Sequence, residues 1–209
     1  MDAESRIAAD GLATGNVTWM IREAVAGEAA DIRRLQARSW RVTYPNDEWG
    51  VSRQWVEQLT DSWLTAQALA ESADFMAAVL AAPDTFYRVA EVDGRIAGFV
   101  HAVKHDSREA ELLGLYLDPP AFGIGVGAEL MSAAVDWIGP LPARLEVAPY
   151  NQRAIRFYHR YGFSEVPGSE RPCNVQPWVE PSRRPDAVNG LALNWNAIPA
   201  IEMRRQPTG

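Results

Sequence analysis

The chain has almost no cysteine. Cys173 stands alone, so no disulfide can close within the chain, and a reducing compartment is expected. Histidine is also scarce. His101, His105 and His159 do not form metal-ligand spacing with Cys173, so no metal site is expected. No apolar run approaches the roughly 18 residues of a membrane span. The opening residues, MDAESRIAADGLATG, lack the charged-then-apolar layout of a secretory signal. These absences predict a cytoplasmic protein. Positive charge is in deficit: the net charge is −7 and the pI about 5.0. That argues against nucleic acid or an anionic membrane as partner, and is compatible with a cationic amine.

What is present is enough for one core. The chain has 209 residues, of which 47% are apolar, so one domain is expected at 17–209 behind a loose tail at 1–16. A first strand is expected at 17–22. Residues 27–44 have a helical pattern, with Ala29, Ile32, Leu35, Ser39 and Val42 on one face and arginines on the other. Residues 52–82 read as two or three short helices, with capping residues at Asp61-Ser62 and Ser72-Ala73-Asp74. Asp93-Gly94 between two strand-like runs predicts a hairpin. The segment from Pro167 to Asn196, with prolines at 167, 172, 177, 181 and 185, interrupts the end of the domain. It is expected to cover a binding site or form a dimer contact. A last strand is expected at 197–204.

The stretch 111–138, ELLGLYLDPPAFGIGVGAELMSAAVDWI, is the most informative. An apolar run of strand length ends at Asp118-Pro119-Pro120, because proline has no N–H for a ladder. Gly123, Gly125 and Gly127 follow at alternate positions. Leu130, Met131, Ala134, Val135 and Ile138 then recur at helical spacing. A strand, a glycine turn and a helix start make an anion-binding arrangement. The backbone can approach a ligand, and the first helical amides are free donors. We read it as a diphosphate site. Further on, Ala154, Phe157, Tyr158 and Tyr161 share one helix face, with Asn151 placed as N-cap and Gly162 as the closing residue.

These two stretches resemble the GNAT superfamily of acetyl-CoA-dependent N-acetyltransferases. That family's phosphate loop usually reads Gln/Arg-x-x-Gly-x-Gly/Ala after a strand ending in Asp-Pro. Here it is Phe122-Gly123-Ile124-Gly125-Val126-Gly127, so the glycines fit and the leading polar residue does not. The second signature is matched at Asn151, Ala154, Phe157, Tyr158, Gly162 and Phe163. The resemblance spans 18–166 and the last strand. It implies an α/β (mixed-sheet) fold: a mostly antiparallel twisted sheet with a central parallel strand pair and helices on both faces. It also implies direct transfer of an acetyl group from acetyl-CoA, as cosubstrate, to a primary amine on a small molecule, peptide or protein. The coenzyme-binding residues implied are Tyr116, Leu117, Phe122, Gly123, Ile124, Gly125, Val126, Gly127, Ala128, Asn151, Ala154 and Tyr158.

The chemistry needs a neutral amine, a polarised carbonyl and help for the leaving thiolate. By resemblance Tyr158 sits beside the coenzyme sulfur, as general acid or hydrogen-bond donor; by spacing alone it would be a core tyrosine. Glu111 is the candidate base, with Leu113, Leu115 and Leu117 on its side of the strand, and Glu109 is its rival. An amide near Tyr116 or Leu117 would polarise the acetyl carbonyl where two parallel strands splay. Trp40 and Tyr44 are candidates for substrate contact, or core aromatics at a helix end. A dinucleotide-binding dehydrogenase fits worse, since its fingerprint is Gly-x-Gly-x-x-Gly directly after a strand. A non-catalytic acetyl-CoA-binding sensor or scaffold of the same fold is the alternative function.

Overall fold

The computed structural model describes residues 18–105, 108–172, 187–188, 191–192 and 198–207. The expected tail at 1–16 and most of the segment 167–196 lie outside these residues. One sheet dominates. Its strands are β1 (Trp19–Glu23), β2 (Thr85–Val92), β3 (Arg95–His105), β4 (Glu109–Leu117), β5 (Ala143–Val147), β6 (Phe163–Glu165) and β10 (Pro199–Arg205). They lie in the order β1-β2-β3-β4-β5-β10-β6. The two-residue β7 (Arg171–Pro172) adds to β10, and β8 (Ala187–Val188) pairs with β9 (Leu191–Ala192). The pair β4–β5 is parallel, and the other neighbours are antiparallel. The β2–β3 hairpin turns at Asp93 (φ 48°) and Gly94 (φ 75°), both positive as its twist requires.

Helices cover both faces. On one side, α4 (Val126–Ile138) and α5 (Gln152–His159) bury Leu130, Met131, Ala134, Ile155 and Tyr158 against Leu112, Leu145 and Met203. On the other, α1 (Ala29–Thr43), α2 (Arg53–Ser62) and α3 (Ala66–Ala81) close two smaller cores. Helix α4 is the crossover between the parallel strands, as such a connection requires. Asn151 caps α5 as expected, its Oδ1 accepting from the Ala154 amide at 3.1 Å. The caps expected at Asp61-Ser62 and Ser72-Ala73-Asp74 are not used: the first pair closes α2 and the second group lies inside α3, where the Ser72 hydroxyl donates to the Ala68 carbonyl. Ser52 and Thr65 cap these helices instead, accepting from the Trp55 and Ala68 amides.

Helix α1 departs from its expected face. Val42 is exposed, whereas Arg33 and Gln36 are buried. The helix is packed by the sheet on one side and by α3 and α2 on others, so more than one stripe is enclosed. Its far end is fixed twice. Arg38 donates to both carboxylate oxygens of Asp118, with Nη2–Oδ2 at 2.7 Å, and the Tyr150 hydroxyl donates to the Tyr44 carbonyl at 2.9 Å.

Candidate active site

The site begins with a bulge. On β3 His101 faces Gly114 while its neighbour Ala102 faces Leu112, so Leu113 is an extra residue in β4. Side-chain parity flips there. Ala110 and Leu112 belong to the α4 side before the bulge, and Leu115 and Leu117 pack on that side after it, while Tyr116 packs on the α1 side. The expected run of Leu113, Leu115 and Leu117 on the side of Glu111 is therefore broken at Leu113.

The bulge coincides with a splay. Strands β4 and β5 pair only from Ala110–Ala143 to Leu112–Leu145. Beyond that, β4 runs on to Leu117 and β5 to Val147 with a cleft of about 420 Å³ between and around them. Backbone polarity in the splay follows from the far edge. The Asp118 amide donates to the Ala97 carbonyl on β3 at 2.8 Å. Antiparallel pairs alternate between bonded and non-bonded, so the next pair, Leu117–Gly98, turns its amide away from β3 and into the opening. Of the two expected carbonyl donors, alternation selects Leu117 over Tyr116.

The glycine loop forms the floor on the α4 side. Gly123 (φ 84°) and Gly125 (φ 96°) take conformations that side chains resist, and Gly125 caps α4 with no side-chain hydrogen bond. Among the described residues, the amides of Gly123, Ile124, Gly125, Val126 and Gly127 donate no hydrogen bond, whereas that of Ala128 donates to the Gly125 carbonyl. A run of free donors at a helix N-terminus suits a diphosphate. Ile124 and Val126 offer only backbone here, since Ile124 faces solvent and Val126 is in the core. Gly127 lets Leu117 approach, because a Cβ there would sit 3.0 Å from Leu117 Cδ1.

Tyr158, Asn151 and Ala154 line the same cleft. The Tyr158 ring is 8% exposed and meets Phe157 and Phe163 edge-on. Burial, with a smaller push from Tyr116, raises its hydroxyl above the ordinary tyrosine range. It makes no hydrogen bond among the described residues. Across the splay the α1 side contributes Ser39, Thr43, Tyr44, Tyr116 and Glu146. Trp40 does not reach the cleft; it is 3% exposed, in a core with Trp63.

Glu111 lies at the closed end, beside Arg144 in the paired register and outside the cleft walls. Its carboxylate meets Arg144 Nη2 at 2.7 Å and His105 Nε2 at 3.0 Å. Its rival Glu109 is held by Arg144 and Arg204, each at 3.6 Å. Sequence reading missed Glu146, Arg153 and Arg160 in the cleft. The arginines had a legible signal: they sit one helical turn either side of Phe157. The Arg153 guanidinium stacks on Phe122 and that of Arg160 on Phe157.

Among the described residues, no helix is long and apolar enough to cross a membrane, and no cluster of three or more histidine, cysteine or acidic residues is placed to hold a metal ion. The chain is similar to the PaiA N-acetyltransferase of Thermoplasma acidophilum, a structure in complex with coenzyme A, with TM-score 0.63 and 19% identity over 90% of this chain and 99% of that one. A GNAT acetyltransferase from Streptococcus pneumoniae superposes with TM-score 0.61 and 20% identity, over 91% of this chain and 99% of that one. In sequence it is 33% identical over 140 residues to an uncharacterised N-acetyltransferase of Mycobacterium bovis, covering 65% of this chain and 83% of that protein. A shorter match, 37% over 84 residues, is to the mycothiol acetyltransferase of Acidimicrobium ferrooxidans, over 37% of this chain and 27% of that protein. The model of the acetyltransferase (GNAT) family matches residues 30–163, and the chain belongs to that family.

Proposed function

We propose that the chain transfers an acetyl group from acetyl-CoA directly to a primary amine. The observation that carries this is the splay itself. It joins free loop amides and the Tyr158 hydroxyl on one face of the sheet to a carboxylate, Glu146, on the other. A thioester supplies an acyl group activated for attack; the protein supplies orientation and charge. The amides of Gly123 to Gly127 hold the diphosphate. The Leu117 amide donates to the acyl oxygen as negative charge develops on it.

Glu146 takes the base role in preference to Glu111, because it lines the cleft on the acceptor side while Glu111 lies outside the cleft walls. Amines with a pKa of about 10.4 arrive protonated, so a carboxylate or a relayed water must accept that proton before attack. Tyr158 acts on the other side. Its hydroxyl is far less acidic than a thiol, whose ordinary pKa is about 8.5, so it hydrogen-bonds the departing thiolate without giving up its proton.

The test is thermal unfolding with acetyl-CoA, CoA and NAD, followed by CoA release with a panel of amines. A ligand at 100 times its dissociation constant adds about 2.7 kcal/mol, a rise of about 5–10 °C for a domain of this size. A shift with acetyl-CoA, none with NAD, and amine-dependent CoA release are expected. A shift without turnover on any amine would favour a coenzyme-binding sensor. No shift would remove the donor.

A further inference from the structure

Behind Tyr116, on the α1 side, a second cavity of about 390 Å³ lies between α1, α3 and strands β2 and β3. Its floor is a strip of rings. Phe99 and Tyr116 face each other across β3 and β4, with ring centres 5.3 Å apart. Tyr87 and His101 face each other across β2 and β3, 4.9 Å apart. Phe99 and His101 are alternate residues of β3 and so share a face. The Phe99 ring centre lies 5.5 Å from that of Tyr87, with the planes only 10° apart. The strip is thus continuous from Tyr116, at the bulge, to His101. Its roof is apolar: Ile32 from α1, and Met76 and Val79 from α3.

The polar side chains of the lining differ in one respect. Arg33 donates to Ser72 Oγ and to Gln36 Oε1, which ties those three together. At the far end of the strip, His101 Nε2 is buried and without a hydrogen-bond partner among the described residues. Burial lowers the imidazole to about 4, so at neutral pH the ring is uncharged, with one nitrogen a donor and the other an acceptor.

A volume of this size suits a small organic ligand. A flat ring suits a slot between a strip of rings and an apolar roof, because stacking adds to the gain from burying its area. A stranded polar atom in such a slot costs stability, so an occupant that reaches the imidazole with a polar group is favoured over a hydrocarbon. A hydroxyl can donate to an imidazole or accept from one, and it fits either tautomer.

We propose that this slot is a binding site for a hydroxyaryl ligand, its ring lying along Tyr116, Phe99 and Tyr87 and its hydroxyl meeting the imidazole of His101. The site requires neither the coenzyme nor acetyl transfer. It goes beyond the reading given above and stands or falls apart from it.

The test is fluorescence titration with 2-naphthol and naphthalene, which differ only by the hydroxyl, into the protein alone and saturated with CoA. 2-Naphthol is expected to bind about fivefold more tightly, the yield of one net hydrogen bond, and to do so in both states. Nitrogen NMR of the three histidines gives a second reading on the unaltered protein. 2-Naphthol should shift the ring nitrogens of His101 well beyond the shift that naphthalene causes, and leave those of His105 and His159 in place. His101→Phe keeps the strip of rings and removes the hydrogen bond; it should erase the preference and leave naphthalene binding as before. Val79→Trp, which fills the slot and keeps His101, should weaken both ligands and serves if His101→Phe does not fold. Equal affinities in the unaltered protein, a preference that survives in His101→Phe, His101 nitrogens that respond alike to both ligands, or undiminished binding to Val79→Trp would each overturn the proposal. Displacement of 2-naphthol by CoA would place the ligand in the cleft and overturn it too.

Discussion

The Arg153 guanidinium lies 3.9 Å over the ring of Phe122, and both line the cleft beside Gly123 and Gly125. The family's loop opens with a polar side chain; here α5 brings a cation to the same place. The ring steadies it by an attraction of about 0.5–1 kcal/mol. We expect Arg153→Gln to weaken CoA binding about tenfold at low salt, and less at high salt, while pantetheine, which has no phosphate, binds as before. Calorimetry with both ligands checks it. Equal losses for the two would show that Arg153 packs rather than pairs.

Tyr158→Phe should lower kcat about a hundredfold and leave the KM for the donor unchanged, since the hydroxyl acts only as charge reaches sulfur. Burial holds that hydroxyl protonated throughout the working range. The wild-type rate should therefore show no alkaline fall near pH 10, the ordinary tyrosine value of about 10. A fall centred there, absent from the Phe variant, would contradict this assignment.

The two carboxylates separate by phenotype. Glu146→Gln should cost kcat about a hundredfold at pH 7, with partial recovery at higher pH as the amine deprotonates unaided. Glu111→Gln should leave kcat within a few-fold and lower stability by roughly 1 kcal/mol, through the lost contacts with Arg144 and His105. The reverse pattern would return the base role to Glu111.

His101 gives the fold a sensitivity to acid. Burial lowers its pKa from 6.5 to about 4. Arg33 from α1 and Tyr87 from β2 line the same cavity, and the Tyr87 ring centre lies 4.9 Å from that of the imidazole. Below about pH 6.5 the unfolded chain takes up a proton that the folded chain refuses. Stability should thus rise with pH between about 4 and 6.5, by about 3 kcal/mol at most from this group. Urea unfolding at several pH values tests this; His101→Gln should flatten the slope in that window.

Gly125→Ala isolates backbone strain. Nothing lies within 4 Å of an added Cβ, yet φ is 96°. The cost should be about 1–3 kcal/mol of stability, with loss of CoA affinity as the loop rearranges. Unfolding and calorimetry on the same variant would show both, and an unaltered affinity would mean that the loop amides do not hold the ligand.

Much of the frame was legible in the sequence. Asp93-Gly94 announced its hairpin, Asn151 its helix start, and the glycines their turn, because each is a local demand on φ or on an orphan amide. Glu111 and Trp40 were harder. Strand alternation places Glu111 at the start of a strand but does not reveal where pairing with β5 stops, which is a long-range property. Trp40 and Tyr44 lie on one helix end, yet only Tyr44 lines the cleft; the difference comes from Trp63 on α2 closing over Trp40. Arg33 shows the same limit, since an arginine opposite an apolar stripe reads as solvated until α3 is known to pack there.

The extra residue at Leu113 makes β4 a strand with two phases. Upstream of it, even-numbered residues face the coenzyme side; downstream, odd-numbered ones do. Removing that residue would leave each half on its present partners, because Leu112 already faces Ala102 and Gly114 already faces His101. Faces and amide directions would survive; what would go is the local bend that a bulge puts into a strand. Leu113 therefore works as a shim. It sets the angle at which the two halves of β4 meet, and a deletion there would be felt as a change of aperture at the splay.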